Sequence, residues 1–315
     1  MKHLFALLAL LLTVAPAGAQ EWPQRPVRVI VAYPAGGVLD VITRAVMEPL
    51  REKLGQPVVV ENRSGGNGYI GLEACAREQD QHTFCAVTIE VMVFHPFVER
   101  ENFPRIASLQ PVTQFTRGGG VIFANNDVPV RDLREFVGWA RQRPGQLNYS
   151  SFGMGSTPHI VMEWLKATER LDITHVPYRG SPEAMNEVIG GRIQLSYTGM
   201  GFALPQIRAG RVKALAVAGD RRWPQLPDVP SLRELGFNYP YGGGWFGLVA
   251  PEASAPATRR RMAAAIGEVV RDAGFRARVL EPQAYEAIGN TPEEFAGVLA
   301  AERERGAALA RLAGF

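Results

Sequence analysis

Short apolar runs alternate along the chain with longer stretches whose apolar positions recur at helical spacing. Val27-Arg28-Val29-Ile30-Val31-Ala32 is a β-branched run of strand length. After the turn Tyr33-Pro34-Ala35-Gly36-Gly37, the positions Ile42, Ala45, Val46, Leu50 and Leu54 share one side of a helix expected over 40–54. Pro49 should kink that helix and Gly55 should stop it. A strand over 57–61 follows, then a Gly-rich turn and a helix near 68–77. Further strands are expected near 83–88, 111–116, 121–125, 147–151, 173–177, 193–197, 213–218 and 245–250. Helices near 131–142, 156–168, 182–189, 256–273 and 291–312 fall between or after them. This alternation predicts an α/β fold with largely parallel sheets.

Two glycine triplets each abut a strand: Gly118-Gly119-Gly120 and Gly242-Gly243-Gly244. They bracket a middle segment with its own strand–helix series. The pairing suggests two crossings between two domains, with glycine giving the backbone freedom to bend. Domain 1 would then comprise residues 20–120 plus 245–315, and domain 2 residues 121–244.

The first residues change where this fold is expected to live. Met1-Lys2-His3 is a short basic start, and Leu4 to Leu12 is an apolar run too short to span a bilayer. Ala17-Gly18-Ala19 supplies small residues for a signal peptidase, so residues 1–19 read as a signal peptide cleaved near Ala19. The expected location is the periplasm. Hydrophobic residues are 46% of the chain, enough for a core, and 34 Lys and Arg balance 31 Asp and Glu. A formal charge of +3 without basic runs argues against a nucleic-acid partner. In an oxidising compartment Cys75, late in a helical stretch, and Cys85, in the following apolar run, are expected to pair as a disulfide. Scattered histidines and the lack of C-x-x-C spacing give no metal site.

Three loops carry candidate chemistry, each at the carboxyl end of an expected strand, where ligands collect in open α/β sheets. In Tyr33-Pro34-Ala35-Gly36-Gly37-Val38-Leu39-Asp40 a glycine turn feeds a helix, with Asp40 most simply its N-cap. Ser150-Ser151-Phe152-Gly153-Met154-Gly155-Ser156-Thr157 offers hydroxyls and amides at a helix start, which suit a carboxylate as well as simple capping. Val176-Pro177-Tyr178-Arg179-Gly180-Ser181 offers a phenol and a cation. Gly66-Asn67-Gly68-Tyr69-Ile70-Gly71 matches a dinucleotide fingerprint, yet an exported protein meets little NAD and no acidic ribose partner is clearly placed. It reads as a tight turn with close helix packing, and no cofactor is expected.

These loops resemble those of the periplasmic solute-binding proteins of tripartite tricarboxylate transporters, the TctC-like or Bug-type family. The resemblance continues through Leu54 to Arg63, Gly66 to Gly71, Leu147-Asn148-Tyr149-Ser150-Ser151 and His175-Val176-Pro177-Tyr178-Arg179-Gly180. It extends to Ala203-Leu204-Pro205-Gln206-Ile207, Ala214-Leu215-Ala216-Val217, Leu226 to Ser231 and Trp245-Phe246-Gly247. It implies a two-domain Venus-flytrap, similar to type 2 periplasmic binding proteins, that holds a small carboxylate between its domains. Carried over, it points to the loops containing Ala35, Gly36 and Gly37 in domain 1, and Ser151, Gly155, Ser156 and Tyr178 in domain 2; Tyr33, Asp40 and Thr157 of the same loops are further candidate ligand contacts. It implies a non-enzymatic receptor, a small organic acid or amino-acid-like ligand, integral-membrane permease subunits as partners, and a monomer.

Two stretches depart from the family pattern. Where many relatives have a small Ser/Thr/Gly-rich loop, this chain has Thr88-Ile89-Glu90-Val91-Met92. Where relatives often have Phe-Asp-Asn, it has Tyr197-Thr198-Gly199. A cleft-facing Glu90 would repel a di- or tricarboxylate and hold an ammonium or another donor; the absence of an acid at Thr198 has the opposite electrostatic sense. Two competing readings remain: a sensor subunit serving a membrane kinase, and a hydrolase using Ser156 or Ser151, which would need a His and a carboxylate converging on one serine.

Overall fold

The computed structural model describes residues 22–98, 103–241 and 243–314. The signal-peptide reading and Gly242 lie outside the described residues. The chain runs β1 (Val27–Val31), α1 (Val38–Met47), α2 (Leu50–Leu54), β2 (Val58–Asn62), α3 (Tyr69–Ala76), β3 (Thr83–Thr88) and β4 (Gln110–Gly118). It continues with β5 (Gly120–Asn125), α4 (Leu133–Arg141), β6 (Leu147–Ser151), α5 (Thr157–Glu169), β7 (Ile173–Pro177), α6 (Ser181–Ile189), β8 (Leu195–Gly199), α7 (Met200–Arg208) and β9 (Val212–Val217). The return comprises β10 (Gly244–Ala250), α8 (Pro256–Arg271), β11 (Tyr285–Ala287) and α9 (Pro292–Leu312). Short helical turns complete it; the one that bears on function is a π-type turn over Glu90–Phe94.

Among the described residues the strands form two sheets, ordered β11-β4-β10-β3-β1-β2 and β7-β6-β8-β5-β9. Each sheet is one lobe. The sheets are mixed, which corrects the expectation of largely parallel pairing. β1 pairs in parallel with β2 and β3, and β6 with β7 and β8. β5 and β10, the first strands after each crossing, run antiparallel to both their neighbours. The βαβ repeats produce the parallel pairs; a strand that enters from the other lobe has no preceding crossover helix to set its direction.

Local chemistry explains most element ends. Pro49 does more than kink the first helix: α1 ends at Met47, and Pro49 caps the separate α2. Gly55, at φ +65°, closes α2 in the left-handed conformation. Gly71 sits where a Cβ would lie 2.5 Å from the carbonyl oxygen of Arg63, just past β2, and 2.9 Å from Cα of Ala32, just past β1, so α3 packs tightly on these strand ends, as the Gly66–Gly71 turn suggested. Thr291 and Glu294 form a reciprocal capping box at the start of α9.

The Gly118–Gly120 crossing has a different physical basis from the one expected. None of these three glycines has a positive φ. A Cβ on Gly118 would run into the Tyr285 ring, one on Gly119 into Trp223, and one on Gly120 into Tyr197. The glycines admit three aromatic rings against the crossing strand. Gly243, by contrast, has φ +140° and lies against the Gly118 carbonyl.

An aromatic chain ties the lobes together away from that crossing. Trp164 on α5 meets Tyr239 at 4.9 Å between ring centroids, Tyr239 meets Tyr241 at 6.1 Å, and Tyr241 meets Phe94 at 5.7 Å. One buried apolar cluster runs through these residues from the first sheet to the second. Cys75 on α3 and Cys85 on β3 form the expected disulfide, with 6.3 Å between Cα atoms. Reducing it should lower the unfolding free energy by about 2–3 kcal/mol. Urea unfolding with and without dithiothreitol checks this; coincident midpoints would contradict it. No helix among the described residues is long and apolar enough to cross a membrane.

Candidate functional site

Where the two lobes face each other, the carboxyl ends of β1, β3, β6 and β8 converge, and they enclose a cavity of about 100 Å³. Four helices begin at its wall. Gly37, Val38 and Leu39 open α1; Thr157 and Pro158 open α5; Gly180, Ser181 and Pro182 open α6; Thr198 and Gly199 precede α7. First-turn amides have no acceptor within their own helix, and each helix start carries about half a positive charge. Backbone dipoles are thus the cavity's source of positive potential, since among the described residues no Lys, Arg or His lines it; Pro158 and Pro182 bring no N–H, and the Met200 N–H at the start of α7 already donates to the Gly119 carbonyl at 2.8 Å. Its remaining wall is apolar and aromatic, with Tyr33, Phe152, Tyr197, Trp245 and Phe246 prominent.

The first-lobe wall is built by the turn after β1. Gly36, at φ +76°, requires glycine. Asp40 is buried and is the linchpin of this turn, not the N-cap expected: Gly37 caps α1. The Asp40 carboxylate accepts from the Gly36 N–H at 2.9 Å, from Arg44 Nε at 2.9 Å and from Asn62 Nδ2 at 2.9 Å. Asn62 Nδ2 also donates to the Tyr33 carbonyl at 3.0 Å. The Tyr33 ring turns into the cavity over Gly68, where a Cβ would lie 3.2 Å from the ring.

The second-lobe wall rests on stacked rings. Ser151 Oγ lies 2.5 Å from His175 Nε2, and the His175 ring stacks on Tyr149 at 4.9 Å and meets His159 at 4.3 Å. The Gly155 N–H donates to His159 Nδ1 at 3.2 Å, and Ser156 Oγ donates to the Gly153 carbonyl at 2.7 Å. These bonds set the loop that presents Phe152 and Thr157. Burial, reinforced by His175, pushes the His159 pKa down to about 4, and burial also lowers His175. Tyr149 Oη donates to Glu163 at 2.6 Å, and Glu163 pairs with Lys166 at 2.7 Å.

Glu90 faces the cavity, and the π-type turn after β3 places it there. Its Oε2 accepts from Thr157 Oγ1 at 3.0 Å, a bond that joins the two lobes. Burial raises the Glu90 pKa against the pull of its hydrogen-bond donors. Its charge, added to burial, pushes the Tyr33 and Tyr197 hydroxyls well above the ordinary phenol value. Behind this wall, α9 holds Trp245: the indole Nε1 donates to the buried Glu302 carboxylate at 2.5 Å. Arg303 Nε donates to the Met92 carbonyl at 2.9 Å and fixes the Glu90 turn from the same helix.

Of the residues singled out in the sequence, Tyr33, Gly37, Glu90, Thr157 and Thr198 line the cavity. Ala35, Gly36, Asp40, Ser151, Gly155, Ser156 and Tyr178 stand outside that lining; Asp40, Ser151 and Ser156 shape the loops from behind. Tyr178 turns toward Glu187, whose charge adds to burial in raising its pKa. The third loop instead contributes Gly180, Ser181 and Pro182. Sequence reasoning did not single out Trp245, Phe246 and Phe152, which line the cavity; an aromatic beside a strand carries no signal that tells cavity wall from core.

The chain matches the family described as "Tripartite tricarboxylate transporter family receptor" over residues 42–311. It is 32% identical over 262 residues to a UPF0065 protein of Bordetella pertussis, covering 82% of this chain and 81% of the relative. It is 28% identical to Protein BugT of the same organism, covering 100% of this chain and 98% of the relative. The structure of Rpa4515 from R. palustris with adipate superposes with a TM-score of 0.88 at 28% identity, covering 93% of this chain and 99% of that one. MatC from Rhodopseudomonas palustris with bound malate superposes with a TM-score of 0.82 at 26% identity, covering 92% and 100%. Two sheets, a cavity between them and likeness over nearly the whole length make the fold that of a Venus-flytrap periplasmic binding protein, and the chain belongs to the TctC, or Bug-type, family of tripartite tricarboxylate transporter receptors.

Proposed function

We infer that this chain is exported to the periplasm, cleaved near Ala19, and there captures a small carboxylate-bearing metabolite for integral-membrane permease subunits of a tripartite tricarboxylate-type transporter. The observation that carries this reading is the cavity walled by both lobes, onto which four helix N-termini open. A carboxylate seated there meets first-turn amides of both lobes, contacts that an open form lacks. That difference drives closure. Moving the equilibrium from 1:99 to 99:1 takes about 5.5 kcal/mol of differential affinity. A few charge-assisted hydrogen bonds of about 1.5–3 kcal/mol each supply it. The lobes comprise residues 20–120 with 245–315, and 121–244, and the receptor acts as a monomer.

Binding without catalysis fits the Ser151–His175 contact near the site. Ser151 is fully buried, lies outside the cavity lining and, with its hydroxyl, accepts the Gly153 N–H at 3.0 Å. Such a pair anchors a loop. Native mass spectrometry of freshly purified protein tests the receptor reading. A retained small carboxylate, released on denaturation, is the expected result. Esterase turnover that disappears in Ser151→Ala would favour the hydrolase, and capture of a membrane kinase instead of a permease would favour a sensor.

A further inference from the structure

We propose that Glu90 sets ligand class: the occupant of this cavity is a monocarboxylate that also presents a nitrogen donor, ammonium or amide, to Glu90, and a second carboxylate is excluded. The inference rests on the receptor reading above and narrows it. Glu90 is the one carboxylate among the described residues that line the cavity, and no cationic side chain lines it in compensation. A carboxylate offers about four lone-pair sites. Thr157 Oγ1 takes one of them from the opposite lobe, and the Thr88 hydroxyl and the Glu90 backbone N–H engage the carboxylate from its own lobe. What capacity remains faces a space walled by Leu39, Phe152, Trp245 and Phe246, with no cationic side chain to balance the charge. In such surroundings an unpaired charge is costly, and a donor on the occupant relieves that cost.

A second observation points the same way. Thr198 lines the cavity and is 3% exposed, and its buried Oγ1 has no hydrogen-bond partner among the described residues. A buried hydroxyl left in that state awaits a polar group from the occupant. Together with the helix-start amides, it gives a ligand carboxylate a place apart from Glu90. The site thus has two poles: backbone dipoles and the Thr198 hydroxyl for an anion, and Glu90 for a donor. A dicarboxylate satisfies the first pole and is repelled at the second.

The experiment is a calorimetric titration of full-length mature protein at pH 7.5 with two matched series. The first is succinate, succinamate and 4-aminobutanoate; the second is adipate, adipamate and 6-aminohexanoate. The wild type is expected to bind an amide or amine member at least tenfold more tightly than the dicarboxylate of the same length. In Glu90→Gln, whose amide can donate, that order should reverse; circular dichroism and unfolding midpoint confirm that the variant is folded. A wild type that prefers the dicarboxylate, or an order unchanged in Glu90→Gln, overturns the proposal while leaving the receptor reading intact. Dicarboxylate binding should strengthen from pH 7.5 to 5.5 more in the wild type than in Glu90→Gln, because a proton on Glu90 removes the repulsion; an equal pH response in the two proteins overturns the proposal. Failure of every probe with both proteins overturns it too, and the receptor reading falls with it if native mass spectrometry finds no carboxylate retained.

Discussion

Acidification from pH 6.5 to 4 is expected to remove several kcal/mol of stability. Burial holds the pKa values of His95 and His159 at about 4 in the fold, against about 6.5 in the unfolded chain. Below pH 6.5 the unfolded state binds protons that the folded state refuses, so stability falls with pH until the folded value is reached. Each imidazole accounts for about 3 kcal/mol at most, from 1.36 kcal/mol per pH unit. Glu90 and Glu302 oppose this, since burial raises both and their cost is relieved as they take up protons. The histidines prevail because His159 has a structural stake: its Nδ1 accepts the Gly155 N–H, and a proton there breaks that bond. Urea unfolding at pH 7.5, 6 and 5 should give descending midpoints, with a shallower descent in His159→Phe. Equal midpoints at pH 7.5 and 5 would refute the assignment.

Gly243→Ala should cost about 3 kcal/mol or more, or prevent accumulation of folded protein. Gly243 combines a backbone conformation that side chains rarely adopt with a Cβ position overlapping the Gly118 carbonyl. A carbonyl in a crossing strand cannot move aside as a side chain can. Gly138→Ala is the control: it lies inside α4 with no atom within 4 Å of its Cβ position, and should stabilise by about 0.5–1 kcal/mol. If both variants unfold at the wild-type midpoint, the two crossing strands are not packed as described.

Much of this was legible in the sequence because it rests on local signals. Strands β1, β6 and β7 and helices α4, α8 and α9 announce themselves by periodicity and caps, and the Cys75–Cys85 pair follows from a helix laid beside a strand. What escaped is set by distant partners. Pro205 hid α7, whose Met200, Ala203 and Leu204 are buried in the second lobe's apolar cluster with Ile207 packed against it. The π-type turn at Glu90 has no sequence signature, yet it points the carboxylate into the cavity. Ser151 and Ser156 looked like ligand contacts because a hydroxyl in a glycine loop suits an anion. In the fold their hydroxyls are consumed by His175 and the Gly153 carbonyl. Trp245 was read only as part of a strand; in the fold its indole nitrogen donates to Glu302 while the ring walls the cavity.

A crystal structure of the protein with the ligand it retains from its host would decide the matter most directly. The account predicts electron density between the lobes, with one carboxylate within hydrogen-bond reach of the Thr198 hydroxyl and a nitrogen within hydrogen-bond reach of Glu90. A stoichiometric ligand seated on an outer face, with only water between Tyr33 and Phe152, would contradict it.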